Sequence, residues 1–136
     1  MVSLAFYFQH HDLDVFSGRR QDVDAWNYSA KSGEINEIIM ADETNNNWTT
    51  DGDVPHQFVD DLSNLPGTVA YFCPHGETSL WSLDHAAIDV YAFGPASGWD
   101  KRERQLTVYI PGIEIHAQHA AAIAMAHRRA WLEGLI

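Results

Sequence analysis

Several stretches of this 136-residue chain are apolar at consecutive positions, where a half-exposed strand would alternate. Residues 4–8 read Leu-Ala-Phe-Tyr-Phe, and residues 69–72 read Val-Ala-Tyr-Phe. A strand points successive side chains to opposite faces, so runs of this kind need cover on both sides. Five short runs, at residues 2–9, 37–41, 68–73, 88–93 and 106–110, are rich in β-branched or aromatic residues and read as strands. Helix-like stretches separate them. Residues 19–31 place Val23, Trp26 and Ala30 on one face, with Gly33 as a C-terminal stop. Residues 53–65 open on Asp53-Val54-Pro55, carry Phe58, Val59, Leu62 and Leu65 at helical spacing, and end at Pro66-Gly67, which predicts a second helix. A last helix is expected from about 114 to 135, where Ala120, Ala121, Ala122, Ala124 and Ala126 give a thin, strongly helical segment. Strands alternating with helices predict an α/β fold: a mostly parallel sheet covered by helices on both faces, in one domain over residues 1–136.

Charge and composition narrow the class. The hydrophobic content of 46% describes a folded globular chain. The net charge of −11 disfavours bulk attraction to nucleic acid, yet the eight basic residues are clustered as Arg19-Arg20, Lys31, Lys101-Arg102 with Arg104, and Arg128-Arg129. A fold that gathered three of these clusters would make one local basic patch; solvated charges on an acidic surface are the plainer expectation. The N-terminal residues lack the basic segment of a signal peptide, and no apolar run approaches the roughly 20 residues of a membrane span. With one cysteine, Cys73, a cytoplasmic protein free of intrachain disulfides is expected.

In a parallel sheet the loops that follow the strands share one edge, and ligands bind there. Those loops are residues 9–14, 74–77, 94–98 and 111–118, which are rich in Gly, Pro, His and carboxylates. The last third is the most suggestive, because two strand-like runs each break at a Gly/Pro pair and the second break feeds a helix start.

At these residues the chain resembles the SPOUT superfamily of trefoil-knotted RNA methyltransferases, especially its SpoU-type members. The family pattern is a strand ending in Phe-Gly-Pro/Asn-Glu, a strand ending in Ile-Pro-Met, and Ser-Leu/Met-Asn opening an alanine-rich helix. The counterparts are Phe93-Gly94-Pro95-Ala96, Ile110-Pro111-Gly112 and His116-Ala117-Gln118, with Cys73-Pro74 at the preceding motif. The resemblance implies a C-terminal knot, a homodimer, S-adenosylmethionine as cofactor and a tRNA or rRNA substrate methylated at a ribose 2′-oxygen. It assigns Cys73, Pro74, Phe93, Gly94, Pro95, Ile110, Pro111, Gly112, Ala117 and Gln118 to the cofactor. Arg19, Arg20 and His116 are left for the acceptor. The chain departs from the pattern where the family's helix-one Arg aligns with Asn27, where Ala96 replaces Glu, and where only residues 99–105 precede the last strand. Those losses motivate an alternative: a catalytically silent SPOUT-fold protein that binds cofactor, RNA or a protein partner.

Other constellations carry less. His10, His11, Asp12 and Asp14 have metal-ligand types, but adjacent strand histidines point apart, so no metal is expected there. His116 and His119 share a helix face, with His127 two turns on, and a metal-dependent hydrolase built on them ranks last. Cys73 beside His75 reads as a buried small apolar residue, not a nucleophile. Residues 94–98 lack the lysine of a phosphate loop. Trp48, Trp81 and Trp99 fall near turns, where core-edge packing is the ordinary role.

Overall fold

The consecutive apolar runs become strands buried on both faces. A computed structural model describes residues 1–8, 19–42, 54–59, 62, 65–94, 106–112 and 117–136. Among these residues seven parallel strands form one sheet: β1 (Ser3–Phe8), β2 (Glu37–Asp42), β3 (His56–Val59), β4 (Val69–Phe72), β5 (Thr78–Ser79), β6 (Val90–Phe93) and β7 (Thr107–Tyr109), in the order β3-β2-β1-β6-β4-β7-β5. The chain builds outward from β1 through β2 to β3, then returns to build the other half, so the direction of growth reverses between β1 and β6.

One face carries Leu4, Phe6, Ile38, Met40, Phe72, Tyr91 and Phe93, and both described α-helices cover it. These are α1 (Arg19–Ser32), through Trp26 and Ala30, and α2 (Ala117–Leu132), through Ala120, Ala121, Ala124 and Met125. The other face carries Ala5, Ile39, Ala41, Tyr71, Val90 and Ala92, packed against Leu62. Tyr71 Oη donates to the Leu62 carbonyl at 3.3 Å. The alanines of α2 give the close approach expected of a thin helix.

The sequence expectation fails at residues 53–65. The periodicity predicts a helix there, but residues 56–59 form β3, paired with β2 in the register Ile38↔His56 to Ala41↔Val59. The free edge of β2 outcompetes local helical preference: Ile38 N donates to the Pro55 carbonyl at 2.8 Å and starts the ladder. Asn27 Oδ1, buried on α1, accepts from Val54 N at 3.2 Å and fixes the chain just before it. Leu62 still buries its side chain against the sheet, and Leu65 packs partly buried against the same cluster. The two-residue β5 and the 3₁₀ turns over Leu80–Ser82 and His85–Ala87 are too short to read from periodicity.

Gly33 does not terminate α1 by adopting a left-handed conformation, as its position suggests. That role falls to Glu34, with φ of 55°. Ile35 N reaches the Ala30 carbonyl at 2.9 Å and Glu34 N the Lys31 carbonyl at 3.2 Å, the double closure of a Schellman end. Gly33 is instead required by packing, since a Cβ there would overlap Met125 Sδ of α2.

Candidate functional site

Parallel strands place all their C-terminal ends on one edge, and the sheet order decides which turns are neighbours. β6, β4 and β7 are consecutive in the sheet, so their carboxyl ends at Phe93, Phe72 and Tyr109 lie side by side, separated by roughly 5 Å per strand. The strand ends that lead into the bends expected after Phe93 and Ile110 therefore flank the end of β4, next to the point where strand order reverses, while the third expected bend, near His116, lies outside the described residues.

The β4 turn is tied to β7 through main chain. Cys73 N donates to the Val108 carbonyl at 2.9 Å, Gly76 N to the Cys73 carbonyl at 3.0 Å, and Glu77 N to the Thr107 carbonyl at 3.2 Å. Thr107 Oγ1 also accepts from Glu77 N at 3.1 Å. A Cβ on Gly76 would come within 2.6 Å of the Val108 carbonyl carbon, so only glycine lets the turn lie this close. The β7 turn has Pro111 followed by Gly112 at φ of 92°, which an L side chain adopts only with strain. Among the described residues, a Cβ built on Gly112 meets nothing within 4 Å.

The side chains assigned to the site divide by burial. Phe93 is 1% exposed, stacked on Phe72 at 4.6 Å and on Phe6 at 5.6 Å, and Trp26 caps Phe6 at 4.7 Å. Phe6, Phe93 and Phe72 are register partners across three neighbouring strands, so an aromatic row underlies the edge. Phe93 offers a ligand its main chain only. Cys73 is buried too, whereas Pro74 and Gly112 are exposed and Gly94, Ile110 and Pro111 are partly exposed.

Both helices begin at this edge. α1 connects two parallel strands and so runs antiparallel to them, which brings Arg19 and Arg20 of its first turn to the edge. α2 follows β7 and starts with Ala117 and Gln118 on the same side. Its far half meets the far end of α1: Arg128 Nε donates to the Gly33 carbonyl at 2.7 Å, and Arg129 Nη1 lies 3.4 Å from Glu34 Oε1. Pro95 and His116 lie outside the described residues, as do Lys101, Arg102, Arg104 and the His10–Asp14 stretch.

Two sequence readings change. Asn27 lies eight residues into α1, about 12 Å from its start, and serves the approach to β3, so it does not stand at the edge. The Arg128-Arg129 pair does not join a basic patch with Arg19 and Arg20: Arg128 is buried, and Arg129 pairs with Glu34 and, at 2.9 Å, with Glu133. Among the described residues no group of three or more His, Cys, Asp or Glu could hold a metal ion. No described helix is long and apolar enough to cross a membrane. His127 pairs with His85, a residue that no periodicity or motif distinguishes.

An open, all-parallel α/β sheet with glycine-rich turns and two helix starts on its carboxyl edge defines a fold that matches solved methyltransferase structures of the SpoU type. An RNA 2′-O ribose methyltransferase superposes with a TM-score of 0.72 at 12% identity, over 99% of this chain and 57% of that one. AviRb of Streptomyces viridochromogenes, a SpoU methyltransferase solved with AdoMet, gives 0.72 at 12% identity over 98% and 58%. A protein solved to explain the 2-OH methylation of C/U34 on tRNA gives 0.66 at 18% identity over 98% and 97%. This chain thus spans less than three fifths of the first two proteins and nearly all of the third. At these identities the likeness establishes the fold. No protein-family model and no curated protein sequence matches the chain.

Proposed function

We propose that this chain is an S-adenosylmethionine-dependent RNA methyltransferase acting on a ribose 2′-hydroxyl of tRNA or rRNA. The observation that carries the reading is the meeting of two main-chain turns, after β4 and β7, with the carboxyl end of β6 at the edge where α1 and α2 begin. The residues present suit the cofactor: the turns offer backbone groups, and among the described residues nothing lies within 4 Å of the position a Cβ would take on Gly112. A nucleoside held by backbone tolerates side-chain drift, which agrees with low identity to proteins of the same fold.

In this reading Cys73, Pro74, Phe93, Gly94, Pro95, Ile110, Pro111 and Gly112 hold the cofactor with main chain, and Ala117 and Gln118 close the site from α2. S-adenosylmethionine, when bound, supplies an electrophilic methyl group. A ribose hydroxyl is a poor nucleophile until its proton leaves, so the chain must supply a base and a cation. His116 would take the proton, and Arg19 or Arg20 would stabilise the alkoxide and meet the RNA phosphates. The solved proteins of this fold are RNA methyltransferases by description, which supports an RNA substrate. A homodimer and a knotted C-terminal segment complete the proposal, in a cytoplasmic protein.

One observation favours a second reading. Asn27, which aligns with the family's activating Arg, is buried and engaged with Val54. A protein that binds cofactor or RNA without transferring methyl groups would tolerate this. Transfer of tritium from methyl-labelled cofactor to bulk RNA decides between them: incorporation lost on Arg19→Ala/Arg20→Ala supports the enzyme, and cofactor binding without incorporation supports the silent protein.

A further inference from the structure

At the edge opposite the candidate site, four polar side chains join in a line through apolar surroundings. Arg128 Nη1 lies 3.3 Å from Tyr91 Oη, Tyr91 Oη 2.7 Å from His85 Nδ1, and His85 Nε2 2.6 Å from His127 Nδ1. His85 is 1% exposed and Arg128 is 6% exposed. Trp131 stands 5.8 Å from the His85 ring and Trp81 5.3 Å from the His127 ring. The line ties the 3₁₀ turn His85–Ala87 and β6 to the second half of α2.

Its proton arrangement follows from donor chemistry. A guanidinium only donates, so Tyr91 Oη accepts from Arg128 and its own hydrogen goes to His85 Nδ1. His85 must then carry its proton on Nε2 and donate it to His127 Nδ1, which leaves His127 protonated on Nε2. Every bond is satisfied with both imidazoles neutral. A proton arriving at His127 Nδ1 forces the direction to reverse: His127 donates to His85 Nε2, His85 Nδ1 donates to Tyr91 Oη, and the buried tyrosine hydrogen loses its acceptor. A second proton sets two N–H groups face to face. The charged groups facing the pair are Arg128, which opposes protonation, and Asp84, which favours it; the Asp84 carboxylate is engaged by Ala86 N at 3.1 Å. Burial pushes His127 below its ordinary value and, with the nearby cations, pushes His85 down to about 4.

We propose that Tyr91, His85 and His127 form a neutral-state latch and are positioning residues for the cofactor edge, acting through α2. The helix of 16 residues is about 24 Å long and begins at that edge with Ala117 and Gln118, so the tilt fixed at its far half sets where its first turn lies. Protonation of the pair loosens the far half and displaces the near end. The inference rests on the reading of that edge as a nucleoside site.

The experiment pairs imidazole nitrogen NMR of the full chain with calorimetric titration of S-adenosylhomocysteine from pH 7.5 to 5.2, in wild type and His127→Gln. The glutamine oxygen accepts from His85 without titrating. At pH 7.5 both imidazoles should show protonated Nε2 and unprotonated Nδ1. Wild-type affinity should fall on acidification, as His127 takes up its proton, while the variant stays level. The tautomer measurement needs no variant and holds whether or not His127→Gln folds. A different tautomer for either residue, or the same loss of affinity in His127→Gln, overturns the latch. Binding that is independent of pH in wild type overturns the positioning role alone. Absence of binding at every pH overturns the cofactor reading, and the positioning role with it.

Discussion

The carbonyl oxygen of Gly33, at the end of α1, accepts a 2.7 Å hydrogen bond from the buried Nε of Arg128 on α2. The two residues are 95 positions apart, and the contact is possible because Gly33 has no side chain to hold Met125 away. This junction fixes the angle between the helices whose other ends start at the candidate site.

Gly33→Ala should therefore destabilise the protein by about 1–3 kcal/mol through overpacking against Met125. Arg128→Ala should cost about 2–4 kcal/mol, because it strips a buried carbonyl and a buried phenol of their donor. Arg128→Lys should not rescue it, since a point ammonium cannot reach both acceptors in the guanidinium's geometry. Denaturant unfolding midpoints check all three.

Main-chain and side-chain roles at the edge separate by substitution. Phe93→Ala removes the middle ring of a buried stack and should cost about 3–5 kcal/mol. Gly112→Ala forces a strained φ at an exposed turn and should cost about 1 kcal/mol of stability, while its methyl meets no described residue within 4 Å. For Gly112→Ala the expected signature is a cofactor-analogue affinity lowered about tenfold or more, with melting lowered by only a few degrees.

Much of this was legible because burial on both faces leaves a plain trace. Residues 4–8 and 69–72 could hardly be anything but interior strands, and Gly/Pro breaks marked where they end. The failure at residues 53–65 has a physical cause: Phe58, Val59, Leu62 and Leu65 fit helical spacing, and only the open edge of β2 makes residues 56–59 a strand. Gly33 was visible as a glycine, but its purpose lies 92 residues away in Met125, which local pattern cannot carry. His85 lay beyond reach for the same reason, its partners Tyr91 and His127 being joined to it by the fold alone.

The buried imidazole gives a pH dependence with a defined sign. In the unfolded chain His85 takes up its proton near 6.5, and in the folded protein only near 4. Between those values the unfolded state binds more protons, so stability is present above 6.5 and is lost as pH falls toward 4. The expected loss is roughly 2 kcal/mol, part of a wider acid destabilisation. Unfolding midpoints at pH 7.5 and 5 should show a smaller drop in His127→Gln than in wild type, where the coupled pair titrates.

Arg19→Ala and Arg20→Ala, at the first turn of α1, should leave unfolding midpoints within about 0.5 kcal/mol and lower RNA methylation by about tenfold or more each. A fall in RNA binding that weakens with added salt would accompany them.

The central claim is that the turns after β4 and β7 and the carboxyl end of β6 form one nucleoside site. Amide chemical-shift mapping with S-adenosylhomocysteine tests it most directly. The account predicts saturable shifts centred on residues 73–76, 94, 110–112 and 117–118, with the opposite edge near Gly33 and Glu34 unmoved. Shifts centred elsewhere, or none at millimolar ligand, would contradict it.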